Sequence, residues 1–237
     1  MDYLLREYEE ESEISMSWRL NSPKTLVSRW MLNGNTLDGM NRYPGTAVNA
    51  PTYAAFFRNK LSCIELNGNN QYLNCGDVAE LNAVSQFSIA FWMNQDVLDI
   101  TDYMFYKYLD GTRYIRIYTA LTGGLFTCQI RDGLHTEGNF DYSAIMSAGS
   151  WHHVAIAFNG AGVANIDRMK IYVDGIPITL GFAGTVPAAT ADLSGIDAQI
   201  GQPANSFDGK LFDFRIYSVA LTNDEILTLM RAPLPVY

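Results

Sequence analysis

The stretch WHHVAIAF, Trp151 to Phe158, places two of the chain's three histidines side by side behind a tryptophan. Adjacent histidines beside an aromatic ring suit a transition-metal site or an acid/base pair. The spacing argues against both. In a strand, successive side chains point to opposite faces. Trp151, His153, Ala155 and Ala157 then share one face, and His152, Val154, Ile156 and Phe158 the other. His152 and His153 cannot grip one ion from opposite faces, so the stretch reads as a packed strand.

Other side chains with chemical potential divide in the same way. Cys63, Cys75 and Cys128 are odd in number and widely separated, with no C-x-x-C pair to hold zinc or a redox disulfide. They read as small core residues or free thiols. The segment YMFYKYLDGTRYIRIY is dense in tyrosine. Tyr106 and Tyr108 share a face, as do Tyr114, Arg116 and Tyr118. Such tyrosines either stack on sugar rings or pack across strands. Tyr106 and Tyr108 are the candidate glycan contacts. A glycosidase needs two carboxylates at a fixed separation. On one strand this appears as E-x-D-x-E, which does not occur. Tyr118, Arg131 and His135 are the types a lyase uses, but no spacing draws them together. There is no G-x-S-x-G elbow and no phosphate loop. The chain is expected not to be an enzyme.

The elements that carry these residues are short strands. FSIAFWMN alternates with period two. Asp110-Gly111, Asp132-Gly133 and Asp174-Gly175 each sit between apolar-rich runs, as in tight hairpins. Further strands are expected at Lys60–Leu66, Gln71–Cys75, Ala198–Gly201 and Lys210–Tyr217. Strands joined by tight turns pair antiparallel. The expected fold is an all-β, antiparallel, two-sheet jelly-roll sandwich. One short C-terminal helix is expected in LTNDEILTLMRA. Thr222 and Glu225 form a capping box, Ile226, Leu229 and Met230 a docking stripe, and Pro233 and Pro235 stop it.

At 237 residues with 25 acidic against 16 basic side chains, the formal net charge is −9. Such a surface repels phosphate backbones, so no nucleic-acid partner is expected. No apolar run is long enough for a membrane helix, and no membrane insertion is expected. Residues 1–23 differ from the rest. Acids crowd the start, with Tyr3, Leu4, Leu5 and Tyr8 among them. This segment reads as an acidic docking arm for a partner subunit, through those four residues, ahead of one domain over residues 24–237.

Three stretches in order, FSIAFWM, then WHHVAIAF with MKIYVDGIPI, then IGQPANSFDGKLFDFRIYSVALTNDEILTL, resemble the laminin-G-like, concanavalin A-like jelly rolls. LVSRWMLNGNTLDGMNRYPG is similar to the family's first strand and following loop. The resemblance implies a non-catalytic module that binds glycans or proteins, often with a structural calcium ion. It places Asp38 as the calcium ligand, with Asn41 as a nearby oxygen donor. Where the family often has two aspartates, this chain has Phe212 and Asp213. By alternation Phe212 faces inward with Phe214 and Ile216, and Asp213 the other way. A hard cation wants six to eight oxygens, so the phenyl ring removes a ligand and calcium is the weaker expectation.

The start of the chain has no basic and then apolar run of the secretory kind. A lectin-like module without export fits a virion component made in a host cell, such as a capsid decoration, head fibre or tail protein. Its expected partners are other virion subunits and a cell-surface glycan. A glycan-binding module on a bacterial surface is the alternative, and a carbohydrate-active enzyme the third reading.

Overall fold

The computed structural model describes residues 25–56, 61–98, 100–121, 123–134 and 136–231. In chain order the described strands are β1 (Leu26–Trp30), β2 (Thr46–Val48), β3 (Thr52–Phe56), β4 (Leu61–Asn67), β5 (Tyr72–Asn74), β6 (Gln86–Gln95), β7 (Asp102–Asp110) and β8 (Arg113–Ala120). They continue as β9 (Leu125–Asp132), β10 (Glu137–Asp141), β11 (His152–Asn159), β12 (Met169–Val173), β13 (Ile176–Pro177), β14 (Gly181–Ala183), β15 (Gln199–Gly201) and β16 (Asp208–Tyr217). The helices are a single turn, α1 (Asn165–Arg168), and α2 (Asn223–Arg231). None among the described residues is long and apolar enough to cross a membrane.

The strands form two antiparallel sheets. The first runs β13-β12-β11-β6-β16-β4-β3, with β1 also on β16; the second runs β14-β10-β9-β8-β7-β15-β5-β2. Alternation explains what lies between them. Phe87, Ile89 and Phe91 of β6, Val154, Ile156 and Phe158 of β11, and Phe214 and Ile216 of β16 form the inner face of the first sheet. Ile115 and Ile117 of β8, with Phe126, Cys128 and Ile130 of β9, meet them from the second. Burying apolar side chains on both inner faces is what drives two such sheets together.

The outer face of the first sheet is covered by α2. Ala90, Ala155 and Ala157 leave a trough, and Ile226 and Leu229 fill it beside Tyr172 and Tyr217. The expected capping box is formed. Thr222 N–H donates to Glu225 Oε2 at 2.7 Å, and Glu225 N–H reaches back to Thr222 Oγ1 at 3.4 Å.

Phe212 does not face inward, contrary to the alternation reading. It stacks on Phe56 at 4.0 Å between centroids, in an outer cluster with Cys63, Trp92 and Trp151. The register of β16 on β6 slips between Phe212 and Arg215, where Asp213 takes φ +51°. A bulge adds one residue and reverses side-chain parity. Phe212, Asp213 and Arg215 all lie away from the inner core.

Candidate functional site

The paired histidines occupy the end of β11 and serve its packing. His152 Nδ1 lies 2.8 Å from Asp174 Oδ2, and its Nε2 accepts a bond from Ser147 N–H. The ring therefore donates from Nδ1. His153 N–H donates to Asp174 Oδ1 at 2.8 Å. The His153 ring is buried against Trp92, 5.3 Å between centroids. Burial, and then the nearby Arg215, push its pKa down to about 4. Asp174 thus ties β11 to the β12–β13 turn, and the two rings point to different sides.

Asp38 has a comparable structural task. Its Oδ1 accepts the N–H groups of Arg29 and Met40, and its Oδ2 those of Arg42 and Tyr43, all at 2.8–3.0 Å. Burial alone would raise its pKa, but the four N–H bonds outweigh it and the value is lowered. Positive dipoles already converge on this carboxylate, and a cation there would have to displace them. Asn41 follows at φ +55°, exposed on the loop. The residues at Asp38 and Asn41 do not fit calcium. Among the described residues no three His, Cys, Asp or Glu side chains converge as a metal-binding group. Tyr3, Leu4, Leu5 and Tyr8 lie outside the described residues.

The outer face of the second sheet gathers the remaining chemistry. The β7–β8 register sets Tyr103 opposite Tyr118, Tyr106 opposite Arg116 and Tyr108 opposite Tyr114. Tyr106 stacks on Tyr108 at 5.3 Å, and Tyr108 on Tyr114 at 5.4 Å. Tyr103 stacks on Tyr118 at 5.0 Å and meets Tyr106 edge-on at 5.4 Å. The Arg116 guanidinium lies 3.9 Å from the Tyr114 ring, with Tyr108 and Tyr118 at 5.7 and 5.9 Å. Such placement favours the cation electrostatically.

Tyr103 joins this face through a second bulge. The β7 register slips between Tyr103 and Phe105, so that Met104 and Phe105 both enter the core. Without that extra residue Tyr103 would point away from Tyr106. Lys107 alternates inward and is fully buried. Its Nζ donates to Asp77 Oδ1 at 2.7 Å and Ile196 O at 2.6 Å, pinning two loops.

A polar row crosses this face. Register aligns Glu137 with Gln129, Gln129 with Arg116, Arg116 with Tyr106, Tyr106 with Gln199, and Gln199 with Asn74. At about 4.8 Å per strand, five steps span about 24 Å. Arg116 Nη2 donates to Gln129 Oε1 at 2.5 Å, and Gln129 Nε2 to Glu137 Oε2 at 2.7 Å. Asn139 Nδ2 donates to Glu137 Oε1 at 3.2 Å. Arg116 Nε and Gln199 Oε1, on either side of Tyr106, are buried without a partner. Burial raises the phenol pKa of Tyr106, and burial with Glu137 pushes that of Tyr118 up to about 12. Both hydroxyls remain protonated donors at neutral pH.

Tyr106 and Tyr108 are therefore neighbours on the face, as alternation indicates, and half-buried. Tyr118 and Arg131 join them there, whereas His135 lies outside the described residues. Gln129, Glu137, Asn139 and Gln199 carried no signal in the sequence: the first three are placed by the register of successive hairpins, and Gln199 by the long-range pairing of β15 with β7.

Residues 67–227 match a family model described as the concanavalin A-like lectin/glucanases superfamily. No curated protein matches the sequence. Among solved structures, domain 4 of AbnA, a GH43 extracellular arabinanase from Geobacillus stearothermophilus, was determined in complex with arabinotriose. It is similar at TM-score 0.63 and 18% identity, over 87% of this chain and 99% of that domain. The ligand-binding domain of botulinum neurotoxin serotype D, in complex with N-acetylneuraminic acid, gives TM-score 0.67 and 16% identity over 91% of this chain and 52% of that one. The binding domain of Paraclostridial Mosquitocidal Protein 1 gives 0.64 and 17% over 87% and 52%. At these identities the likeness is one of fold, and the chain spans about half the length of the two toxin domains.

Proposed function

Because the chain belongs to the concanavalin A-like lectin/glucanase superfamily, we propose that it is a non-catalytic recognition module that binds a glycan on the outer face of its second sheet. The observation that carries this reading is the stacked tyrosine ladder Tyr106–Tyr108–Tyr114 flanking the polar row through Arg116. Aromatic faces take up the apolar faces of sugar rings, and amides, guanidinium and phenols meet their hydroxyls. A row of about 24 Å suits an oligosaccharide better than a single sugar. The arabinotriose and N-acetylneuraminic acid complexes of its structural neighbours support a saccharide as the ligand class. Against hydrolysis, Glu137 is the one carboxylate on the described central row, and amides hold both its oxygens.

The experiment is a glycan array with the full chain, followed by calorimetry on any bound saccharide. Tyr106→Ala and Tyr108→Ala should each weaken binding about tenfold, or about 1.4 kcal/mol, with the melting temperature little changed. Unaltered affinity in both variants would move the site elsewhere.

The module's proposed place is the surface of a virion, with a bacterial cell surface as the alternative. Support comes from residues 1–23, where acids surround Tyr3, Leu4, Leu5 and Tyr8 in the manner of a docking segment. Deleting residues 1–23 should leave the sandwich folded and abolish co-sedimentation with particles.

A further inference from the structure

We infer that this face selects an anionic saccharide, one bearing a carboxylate or a sulfate ester, and that Arg116 and Arg131 make the selection. This rests on the glycan reading above and narrows its ligand class.

The hydrogen-bonding capacity of the face is lopsided. Its acceptors on β8, β9 and β10 are largely engaged, with Gln199 Oε1 on β15 the unpartnered exception. Glu137 receives Gln129 and Asn139, Gln129 Oε1 receives Arg116, and the Tyr114 hydroxyl receives Arg131 Nη1 at 3.3 Å. Its donors are in surplus. A guanidinium carries five N–H groups. Arg116 directs one hydrogen bond to Gln129, and its Nε is buried with no acceptor. Arg131 uses Nε on Gly133 O and Nη1 on Tyr114, which leaves Nη2 open. Among the described residues of the β8–β9–β10 part of this face, neither guanidinium is hydrogen-bonded to either of the two carboxylates, Glu137 and Asp141, which share the outer side of β10. Glu137 is held by the amides of Gln129 and Asn139, and Asp141 by the N–H and hydroxyl of Ser143, so both carboxylates have partners other than Arg131. A ligand bringing oxygen acceptors and negative charge completes what this surface lacks. Guanidinium groups placed over the Tyr114 ring, Arg116 at 3.9 Å and Arg131 at 5.7 Å from its centroid, suit planar or forked oxyanions.

The charge of the whole chain makes the inference discriminating. At −9 the protein repels polyanions at long range. A preference for an acidic sugar therefore cannot come from general attraction and must arise from local guanidinium contacts.

The test uses the full chain on an array of sialylated, uronate and sulfated saccharides, each beside its neutral parent. Calorimetry follows with oligogalacturonate and the same oligomer methyl-esterified. At least one anionic class should bind about tenfold tighter than its neutral partner, equivalent to about 1.4 kcal/mol. Arg116→Gln and Arg131→Gln should each reduce that ratio towards one, weakening the anionic partner more than the neutral one. Should Arg116→Gln fail to fold, Arg131→Gln and the wild-type ratios decide. Neutral saccharides bound as tightly as their anionic partners would overturn the inference and leave the glycan reading standing. Binding to no saccharide would overturn both.

Discussion

Replacing Asp213 with alanine leaves two guanidinium groups facing each other beneath the outer face of the first sheet. Asp213 Oδ1 accepts Arg29 Nε at 2.7 Å and Arg215 Nε at 2.9 Å; Oδ2 accepts Arg215 Nη2 at 2.5 Å and Arg29 Nη2 at 3.2 Å. The Asp213 and Arg215 side chains are 3% and 5% exposed, and Arg29 is 20% exposed. Removing one member of a buried pair strands the other charge and costs about 3–5 kcal/mol. That is a large share of the roughly 5–15 kcal/mol that keeps a domain folded. Arg29→Ala should cost less, about 1 kcal/mol, because Arg215 still holds the carboxylate and Arg29 reaches solvent. The double variant Asp213→Leu/Arg215→Met removes both buried charges and should recover most of the loss. Urea unfolding followed by tryptophan fluorescence gives all three values, with Trp30 and Trp92 as the nearby reporters. Burial alone would raise the pKa of Asp213, but Arg215 and Arg29 outweigh it and the value is lowered. The pair's contribution is therefore complete above the unfolded value of 3.8 and is lost as pH falls through the lower folded value. An Asp213→Ala loss below about 1 kcal/mol at pH 7 would refute the assignment of a buried, uncompensated Arg215.

Gly175→Ala should destabilise the protein by about 2 kcal/mol in thermal melts, from left-handed backbone strain and overpacking together. Gly175 sits at φ +77°, and a Cβ there would come 2.4 Å from Leu227 Cδ2 on α2; adding Leu227→Ala should recover part of the loss, and no recovery would count against the clash. Asp102 is buried at 3% exposure, where its Oδ2 accepts Gln95 Nε2 at 3.0 Å and Asp208 N–H at 3.1 Å, and burial pushes its pKa up to about 6. A raised carboxylate favours folding fully below the unfolded value of 3.8 and loses that advantage as pH rises through about 6. Wild type should thus lose up to about 3 kcal/mol between pH 4 and 7.5 relative to Asp102→Asn, and parallel stability curves would exclude the shift.

Much of the fold is legible because it depends on local period and turn chemistry. FSIAFWM and WHHVAIAF alternate without interruption, and their inward residues are those buried in β6 and β11. Asp174 and Gly175 both take positive φ, as the tight turn between β12 and β13 requires. Thr222 and Glu225 bond each other at the start of α2. His152 and His153 also resolve correctly from parity alone, since two adjacent residues of a regular strand must diverge.

Parity fails where a strand bulges, and both failures fall on residues that matter. Phe212 departs from the inner face because Asp213 adds a residue to β16, and the same bulge places Asp213 beside Arg215 and Arg29. Tyr103 departs from strict alternation because Met104 and Phe105 both turn inward. Counting by twos from Tyr108 reaches Tyr106 and then Met104, so a local reading finds the pair Tyr106 and Tyr108 on β7, with Tyr114, Arg116 and Tyr118 on β8, and misses Tyr103. The rest of the face is assembled from β8, β9 and β10, which follow β7 as successive hairpins, and from β5 and β15, which come from distant parts of the chain. Gln199 enters only because β15 pairs with β7, and Glu137 only because β9 brings β10 alongside β8. Side chains such as Gln129 and Asn139 carry no period of their own; their place is set by which strand lies next to which. A bulge costs the sheet an unpaired residue. At Met104 that disruption turns Tyr103 onto the face of Tyr106 and Tyr118 while adding a second apolar side chain to the core, so one irregularity serves both the packing and the candidate binding surface.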